Sequence, residues 1–163
     1  MRVYLPSTMT ALRSLLDASC LTGAPLPAYA VTPALREWYA EGDEEELEYA
    51  ALSLAARASV RLLDAEPDAV RRRVVVVAEV PEVAGAPHVD RAAVRVPVEV
   101  PLAWVQAVHV DDPSAVPDVT AAADAVVAAD LGSADAAFTV EQADGHELQW
   151  YATQEIGPLL ELS

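Results

Sequence analysis

The sequence predicts an α+β (or mixed α/β) fold in which one mixed, mainly antiparallel sheet packs against three to four helices. The helical signal is strongest over residues 43–66, where apolar side chains recur at helical spacing. The strand signal is strongest in "RRVVVVAEV" (72–80), a continuous apolar run, and in "AAVRVPVEV" (92–100), which alternates. The chain has 163 residues, 53% hydrophobic and 22% charged, so we expect a single globular domain over 1–163.

The chain is predicted to open with a strand and a helix. The strand covers Arg2–Leu5 and ends at Pro6. Ser7 or Thr8 then serves as the N-cap of the helix, and Gly23 lies just past its end. One face of this helix carries three leucines, Leu12, Leu15 and Leu16. This face is expected to pack on the sheet.

A second strand and two further helices follow. The strand is predicted over Ala28–Val31, after which Thr32 as N-cap and Pro33 at the first helical position begin a short helix that Gly42 ends. Asp43 is the expected N-cap of the long third helix. Three glutamates occupy its first turn, where the helix dipole favours acids, and we prefer this explanation to a metal site.

The middle of the chain changes from helical to strand periodicity. Residues 72–80 are apolar on both faces, which predicts a central strand covered on both sides. Residues 92–100 predict a half-exposed strand, and Pro97 within it favours an edge or a bulge. Residues 81–91 are interpreted as the loop of a wide hairpin between these strands. Arg71–Arg73 is interpreted as a polar entry to the central strand rather than an anion site.

The C-terminal third predicts a strand over Val105–Val110 and a helix over Val116–Ala129, which Gly132 ends. Residues 138–142 ("FTVEQ") and 146–152 ("HELQWYA") flank an Asp-Gly pair, a strong hairpin signal.

Within the second arm of that predicted hairpin, the alternation assigns the side chains to two faces. Leu148 and Trp150 are predicted on the inner face, with Glu147 and Tyr151 on the opposite one. A short helix or turn is expected to close the chain over residues 153–162.

The formal net charge of −16 limits the possible partners. Direct binding of nucleic acid is not expected, because contacts to phosphates need clustered positive charge. No apolar run is long enough to span a membrane, and the N-terminus lacks the apolar segment of a signal peptide. Cys20 is the single cysteine, which suits a reducing compartment. We therefore expect a cytoplasmic protein without membrane association.

The motifs of common enzyme classes are missing from the sequence. Lysine is absent and all ten basic residues are arginine, which excludes Schiff-base chemistry and the lysine of phosphate-binding loops. Neither GxSxG nor a glycine-rich phosphate loop occurs, and Cys20 is predicted in apolar surroundings that make a thiol unreactive. We predict no cofactor, the sequence identifies no catalytic residue, and we expect a non-catalytic protein.

One catalytic alternative depends on histidines and carboxylates. His109 and Asp111 lie two residues apart on one face of a predicted strand, with Asp112 in the following turn, while His146 and Glu147 lie in the predicted hairpin. Zinc or another divalent metal is bound by such side chains when folding gathers them. The chain has no HExxH, HxH or CxxC spacing. A metal-dependent hydrolase is therefore the alternative and not the leading hypothesis.

Partner binding, to another protein or to a second copy, is the leading hypothesis. Aromatic residues dominate binding surfaces. We expect such a surface to include Trp38 and Tyr39 on the second helix, and Tyr151 with Glu155 near the C-terminus. A further alternative is mimicry of DNA toward a basic protein, which requires the acidic side chains to fall on one face.

Several segments together resemble a family of short, acidic, uncharacterised actinobacterial proteins that share a domain of unknown function. The resemblance covers nearly the whole chain and depends on the segments "MRVYLP", "AVTPALREW", "DEEELEYAAL", "RRRVVVVAEV", "VQAVHVDD" and "HELQWYATQEI". It implies a cytosolic, single-domain protein from a GC-rich actinobacterium. Because the family has no assigned reaction, no functional residues are carried over.

Overall fold

The computed structural model describes residues 1–163 and contains nine strands. They are β1 (Arg2–Ser7), β2 (Cys20–Leu21), β3 (Leu26–Tyr29), β4 (Val74–Glu79), β5 (Ala84–Gly85), β6 (Ala93–Val96), β7 (Val100–Pro101), β8 (Val105–Asp111) and β9 (Leu148–Ala152). Seven form one sheet in the order β5-β6-β3-β1-β4-β8-β9, and every pairing is antiparallel. β2 and β7 form a separate ladder. The predicted fold class is confirmed.

Four of the six helices begin at a capping side chain. The helices are α1 (Met9–Ala18), α2 (Pro33–Trp38), α3 (Glu44–Ala65), α4 (Val116–Asp130), α5 (Ala134–Asp144) and α6 (Ile156–Glu161). Thr8, Thr32, Asp43 and Ser133 each accept a hydrogen bond from a backbone N–H in the first turn of α1, α2, α3 and α5. The predicted caps Thr32 and Asp43 are confirmed, and Thr8 rather than Ser7 caps α1.

Alternating side chains of β4 divide the core into two layers. Val74 and Val76 pack in the layer that contains α1 and α6, while Val75 and Val77 pack in the layer that contains α3. β4 lies between β1 and β8, and these four valines are at most 6% exposed. The prediction of a central strand covered on both sides is therefore confirmed.

α4 and α5 form a third cluster with the C-terminal half of α3. Val60 and Leu63 of α3 pack there with Val119 of α4 and Val140 of α5, and all four are buried. Close packing on two sides restricts the movement of a helix. The sheet and the helical pair α4–α5 thus fix α3, which forms one wall of the site described below.

A fully buried ion pair connects β4 to β8. The Nε and Nη2 atoms of Arg73 donate to the two carboxylate oxygens of Asp111, each at 2.8 Å, and the side chains are 2% and 0% exposed. Arg73 Nη2 also donates to the backbone carbonyl of His146 at 2.8 Å. Arg72 Nε donates to the backbone carbonyl of Asp111 at 2.8 Å. The arginines form a polar entry to β4, as predicted, but Arg72 and Arg73 are buried rather than solvated.

The predicted hairpin around Asp144 and Gly145 is wrong in its first arm. Residues 138–142 belong to α5, because Ser133 caps an alanine-rich segment and starts a helix there. Gly145 has a φ of −72°, so it does not form the left-handed turn that an Asp-Gly pair favours. β9, the second arm, pairs with β8 instead.

The predicted wide hairpin over residues 81–91 is also wrong. β4 and β6 are not neighbours, since β3 and β1 lie between them, and residues 84–85 form the short strand β5. β1 continues past Pro6, because β3 pairs with β1 at Tyr4 and a proline beyond that point costs no hydrogen bond to β3. β6 ends at Val96, directly before Pro97.

Candidate functional site

The face of the sheet that carries α3 is only partly covered, and its uncovered part forms a groove between α3 and β9. We name it the α3–β9 groove, lined by Val77, Ala107 and His109 on the floor, Glu45, Glu48, Tyr49 and Leu52 on α3, and Leu148 and Trp150 on β9. Two cavities of about 450 and 980 Å³ open along it and share Tyr49, Leu52 and His109. The larger one also reaches the opposite flank of α3, at Tyr29 and Val89.

Two aromatic side chains on the groove walls are exposed. Tyr49 of α3 is 59% exposed and Trp150 of β9 is 60% exposed. Trp150 lies opposite His109 across the β8–β9 pair, so both side chains point to the face that carries α3. α3 packs mainly over β1, β3 and β4, and at the edge strand β9 it leaves Trp150 uncovered. The predicted inner-face position of Trp150 is therefore wrong, while Leu148 on the same face is partly buried.

Acidic and basic side chains both line the groove. Glu45 and Glu48 stand beside the smaller cavity with Arg2, whereas the larger cavity has Asp90, Asp144 and Glu147 together with Arg57, Arg61 and Arg73, each of which is paired with a carboxylate. Glu48 lies 3.5 Å from the Arg2 guanidinium, and Asp144 pairs with Arg57 at the far end. Two exposed glutamates have no cationic group within 4 Å, Glu45 beside the smaller cavity and Glu147 beside the larger one. The groove therefore presents uncompensated negative charge near both ends.

His109 lies on the groove floor, where the two cavities meet. Its side chain is half-buried, and this burial lowers the pKa of the imidazole below its ordinary value. The ring is consequently neutral at neutral pH and offers one donor and one acceptor nitrogen. The other titratable and charged side chains that line the two cavities are Arg2, Tyr4, Tyr29, Glu45, Glu48, Tyr49, Arg57, Arg61, Arg73, Asp90, Asp144, His146 and Glu147.

His146 is held in place at the end of the larger cavity. Its Nε2 lies 2.7 Å from a carboxylate oxygen of Asp118 in the first turn of α4. Its backbone carbonyl accepts the hydrogen bond from Arg73 described above. These two contacts connect the segment before β9 to both β4 and α4, and so they determine where β9 begins.

The residues considered as metal ligands do not gather into one donor group. They are His109, Asp111, Asp112, His146 and Glu147, and no three His, Cys, Asp or Glu residues lie close enough together to hold an ion. Asp111 is engaged by Arg73 on both oxygens, and turning it toward a metal would leave the arginine unpaired in the core. Asp112 accepts from the Ser114 N–H at 3.0 Å, and hydrogen bonding to Ser114 lowers the pKa of Asp112.

Trp38 and Tyr39, which were considered as partner-binding residues, lie at the end of α2. They are 61% and 43% exposed and line a small hollow beside α3 together with Tyr49. The Arg91 guanidinium lies 3.7 Å from the centroid of the Trp38 ring and already occupies one of its faces. Exposed aromatic rings therefore run from α2 across α3 to Trp150, with Tyr49 common to both hollows.

Tyr151 and Glu155, the other two residues considered for partner binding, lie elsewhere. Tyr151 points to the opposite face of the sheet, where it is half-buried against the core that contains α1 and α6. The Glu155 carboxylate accepts a hydrogen bond from the backbone N–H of Ala152 at 3.0 Å. Neither residue lines the α3–β9 groove.

Tyr49 and the open edge of β9 were not identified from the sequence. Tyr49 directly follows Glu48 and the glutamates of the first turn of an amphipathic helix, where a large aromatic side chain is unusual. That local signal could have found it. The position of β9 at the edge of the sheet depends on pairing with distant residues, and no local pattern contains that information.

Comparisons with known proteins place the chain in a family. No helix combines the length and the apolar character needed to cross a membrane. Neither the curated proteins nor the solved structures contain a match. The expected resemblance to a domain-of-unknown-function family is confirmed, while an actinobacterial origin stays a prediction. Because the family model matches residues 1–160, the chain belongs to the family of unknown function DUF6912.

Proposed function

We propose that the protein binds a positively charged segment of another protein in the α3–β9 groove and catalyses no reaction. The observation that carries this proposal is the combination of exposed aromatic rings and unpaired glutamates along one groove. Tyr49 and Trp150 supply the rings, and Glu45 and Glu147 supply the charge. Arginine and lysine side chains are attracted both to the faces of aromatic rings and to carboxylates.

The net charge of the chain supports a basic partner. At −16, the protein attracts cationic proteins over a distance and accelerates their association at low ionic strength. Acidic residues occur in both helical layers, with Asp17 and Glu161 on α1 and α6, and Glu44 and Asp135 on α3 and α5. This distribution does not favour mimicry of DNA on one face. The groove differs from the remaining acidic surface in that two exposed rings, Tyr49 and Trp150, stand on facing walls, whereas Phe138 on α5 lies outside it.

The proposal includes the setting in which binding takes place. The single cysteine, Cys20, supports a reducing, cytoplasmic location. Helices on both sides of one continuous sheet support a single domain over 1–163. The absence of lysine supports a GC-rich, actinobacterial coding sequence.

Titration calorimetry with a designed peptide tests the proposal. A short peptide that alternates arginine and valine should bind the wild-type protein, and a peptide with glutamate in place of arginine should not. Affinity for the arginine peptide should fall as salt is raised, because exposed charges are screened. Trp150→Ala should weaken binding roughly tenfold or more if the ring is a central contact.

The matched control for that titration is Phe138→Ala. Phe138 is 65% exposed on α5 and lies outside the groove, so its removal should leave affinity unchanged. Replacing Glu45 and Glu147 by glutamine should weaken binding and reduce its salt dependence. The proposal fails if the arginine peptide does not bind at low salt, or if the Trp150 and Phe138 variants bind it equally well.

A further inference from the structure

The strand β9 is an open edge of the main sheet. At the opposite edge, β5 has only two residues, which leaves little backbone to pair with. β9 has five residues, Leu148–Ala152, and contains neither a charged residue nor a proline. Natural proteins usually protect an edge of this length with charges, prolines, bulges or a covering segment. Apart from the Ala152 N–H, which Glu155 occupies, this edge is therefore open to pairing with another chain.

The direction of the free backbone groups follows from the contact that Glu155 makes. Glu155 accepts from the Ala152 N–H, so this N–H points away from β8. In an antiparallel strand every second residue directs its N–H and C=O to the same side. Trp150 and Leu148 therefore also direct theirs outward, while Gln149 and Tyr151 direct theirs toward β8. No strand lies beyond β9 to bond them.

We infer that the basic segment adds to the sheet as a further antiparallel strand along β9. This inference rests on the proposed function and states how the partner is held. The N–H and C=O groups of Leu148 and Trp150 would bond to the backbone of the segment, as in other cases of strand addition. The side chains of the segment would provide the selectivity for positive charge.

The same geometry determines where the cationic side chains belong. Residues directly opposite Leu148 and Trp150 place their side chains on the face that carries α3. There they lie next to the Trp150 ring on the side of β9 away from α3, and their long side chains extend over that ring toward the groove. The residues between them point to the opposite face, beside Tyr151. The preferred segment therefore has arginine or lysine at every second position, separated by β-forming residues.

Charge disfavours a second copy of this chain as the occupant. Two copies carry −16 each, and the exposed glutamates Glu147 and Glu155 stand at the two ends of β9. Antiparallel pairing of β9 with itself would bring these glutamates of one copy close to those of the other. Like charges across a strand pair are destabilising. The same two glutamates would attract a cationic segment.

Backbone methylation of the peptide tests this inference. In the antiparallel arrangement, the arginine residues of the arginine–valine peptide direct their N–H groups to β9 and the valine residues direct theirs away. N-methylation of the arginine residues should therefore weaken binding to the wild-type protein about tenfold or more, since two hydrogen bonds are lost. N-methylation of the valine residues should leave affinity within about threefold, because β9 does not contact those nitrogens.

Two variants at position 150 test the same edge from the protein side. Trp150→Pro removes the outward N–H, and Trp150→Val removes the ring but keeps the N–H. Because this N–H does not bond to β8, proline should leave the β8–β9 pairing intact, which circular dichroism and a melting curve verify. We expect the proline variant to bind the peptide several-fold more weakly than the valine variant. If it does not fold, the methylated peptides with wild-type protein decide the question.

The outcomes separate this inference from the proposed function. Equal binding of both methylated peptides, or of the two variants, overturns strand addition and leaves groove binding in place. Failure of the unmodified arginine–valine peptide to bind overturns both. A stable dimer in light scattering that Trp150→Pro abolishes would show that β9 pairs with a second copy and overturn the choice of occupant.

Discussion

The Arg73–Asp111 pair is the contact on which the arrangement of the site depends most. Arg73 bonds to both carboxylate oxygens of Asp111 and to the carbonyl of His146, so one side chain joins β4, β8 and the segment before β9. A neutral side chain in place of Arg73 would form fewer of these hydrogen bonds. The pair is therefore expected to set the position of β9 relative to the groove floor.

Replacing one member of this pair should be costly. Asp111→Asn leaves the Arg73 charge buried without a compensating carboxylate, and breaking a buried pair in this way costs about 3–5 kcal/mol. Asp112→Asn is the matched control, because asparagine still accepts the Ser114 hydrogen bond. In urea denaturation, Asp111→Asn should lower the free energy of unfolding by that amount, and Asp112→Asn should change it by no more than about 0.5 kcal/mol. Equal stabilities would show that the pair contributes nothing.

His109 should make stability depend on pH. Because burial lowers its pKa in the folded protein, the unfolded chain takes up the proton first as pH falls through about 6.5. Between that value and the lower folded pKa, the unfolded state binds more protons, so the free energy of unfolding decreases as pH falls. Above about pH 6.5 His109 is neutral in both the folded and the unfolded state, so it adds no pH dependence to the free energy of unfolding there.

The variant His109→Gln should remove this part of the dependence. Urea midpoints measured between about pH 8 and 5 should fall less steeply for it than for the wild type. His88→Gln is the control, since His88 is exposed in the loop before β6 and should leave the wild-type profile unchanged. Parallel profiles for wild type and His109→Gln would contradict the assigned burial effect.

Two glycines follow the helices α4 and α5, and replacing each by alanine should have a different effect on the free energy of unfolding. Gly132 has a φ of +103°, which side-chain-bearing residues rarely adopt, so Gly132→Ala should cost about 1–3 kcal/mol. Gly145 has a φ of −72° and its added Cβ would meet only the Gln142 carbonyl at 3.4 Å. Gly145→Ala should stay within about 0.5 kcal/mol. A large loss of stability in Gly145→Ala would indicate that Gly145 forms a left-handed hairpin turn and does not end α5.

Elements determined by short-range contacts could be predicted from the sequence. Asp43 caps α3 by accepting from the N–H three residues on, and the valine run identifies β4 as central because it is apolar on both faces. The Asp-Gly pair at 144–145 predicts a hairpin with residues 138–142 as its first strand. The cap at Ser133 starts a helix there instead. Strand order depends on contacts between distant residues, so the separation of β4 from β6 was not predictable.

The candidate site was less predictable than the elements for the same reason. Asp111 has the residue type and spacing of a metal ligand, but its carboxylate is engaged by Arg73, 38 residues earlier in the chain. Trp150 alternates like a core residue, but it lies on an edge strand that α3 does not cover. The sequence marks Tyr49 as an aromatic residue beside glutamates, but its position opposite β9 depends on the fold.

At the scale of the whole molecule, three properties point to the same partner. The net charge of −16 attracts cationic proteins, the α3–β9 groove concentrates exposed rings and unpaired glutamates, and β9 offers free backbone groups beside it. Each property alone is common among acidic proteins. Because they coincide on one side of one sheet, we propose that the groove and its edge strand bind an extended cationic segment.

Mapping of backbone amide shifts by NMR tests that claim most directly. Titration of the ¹⁵N-labelled protein with the arginine–valine peptide should perturb the amides of β9, of β8 around His109 and of α3 around Tyr49, with saturation at one peptide per chain. The amides of α1 and of α5 around Phe138 should remain unchanged. Perturbations spread over all the acidic surfaces, or concentrated outside the α3–β9 groove, would contradict the account.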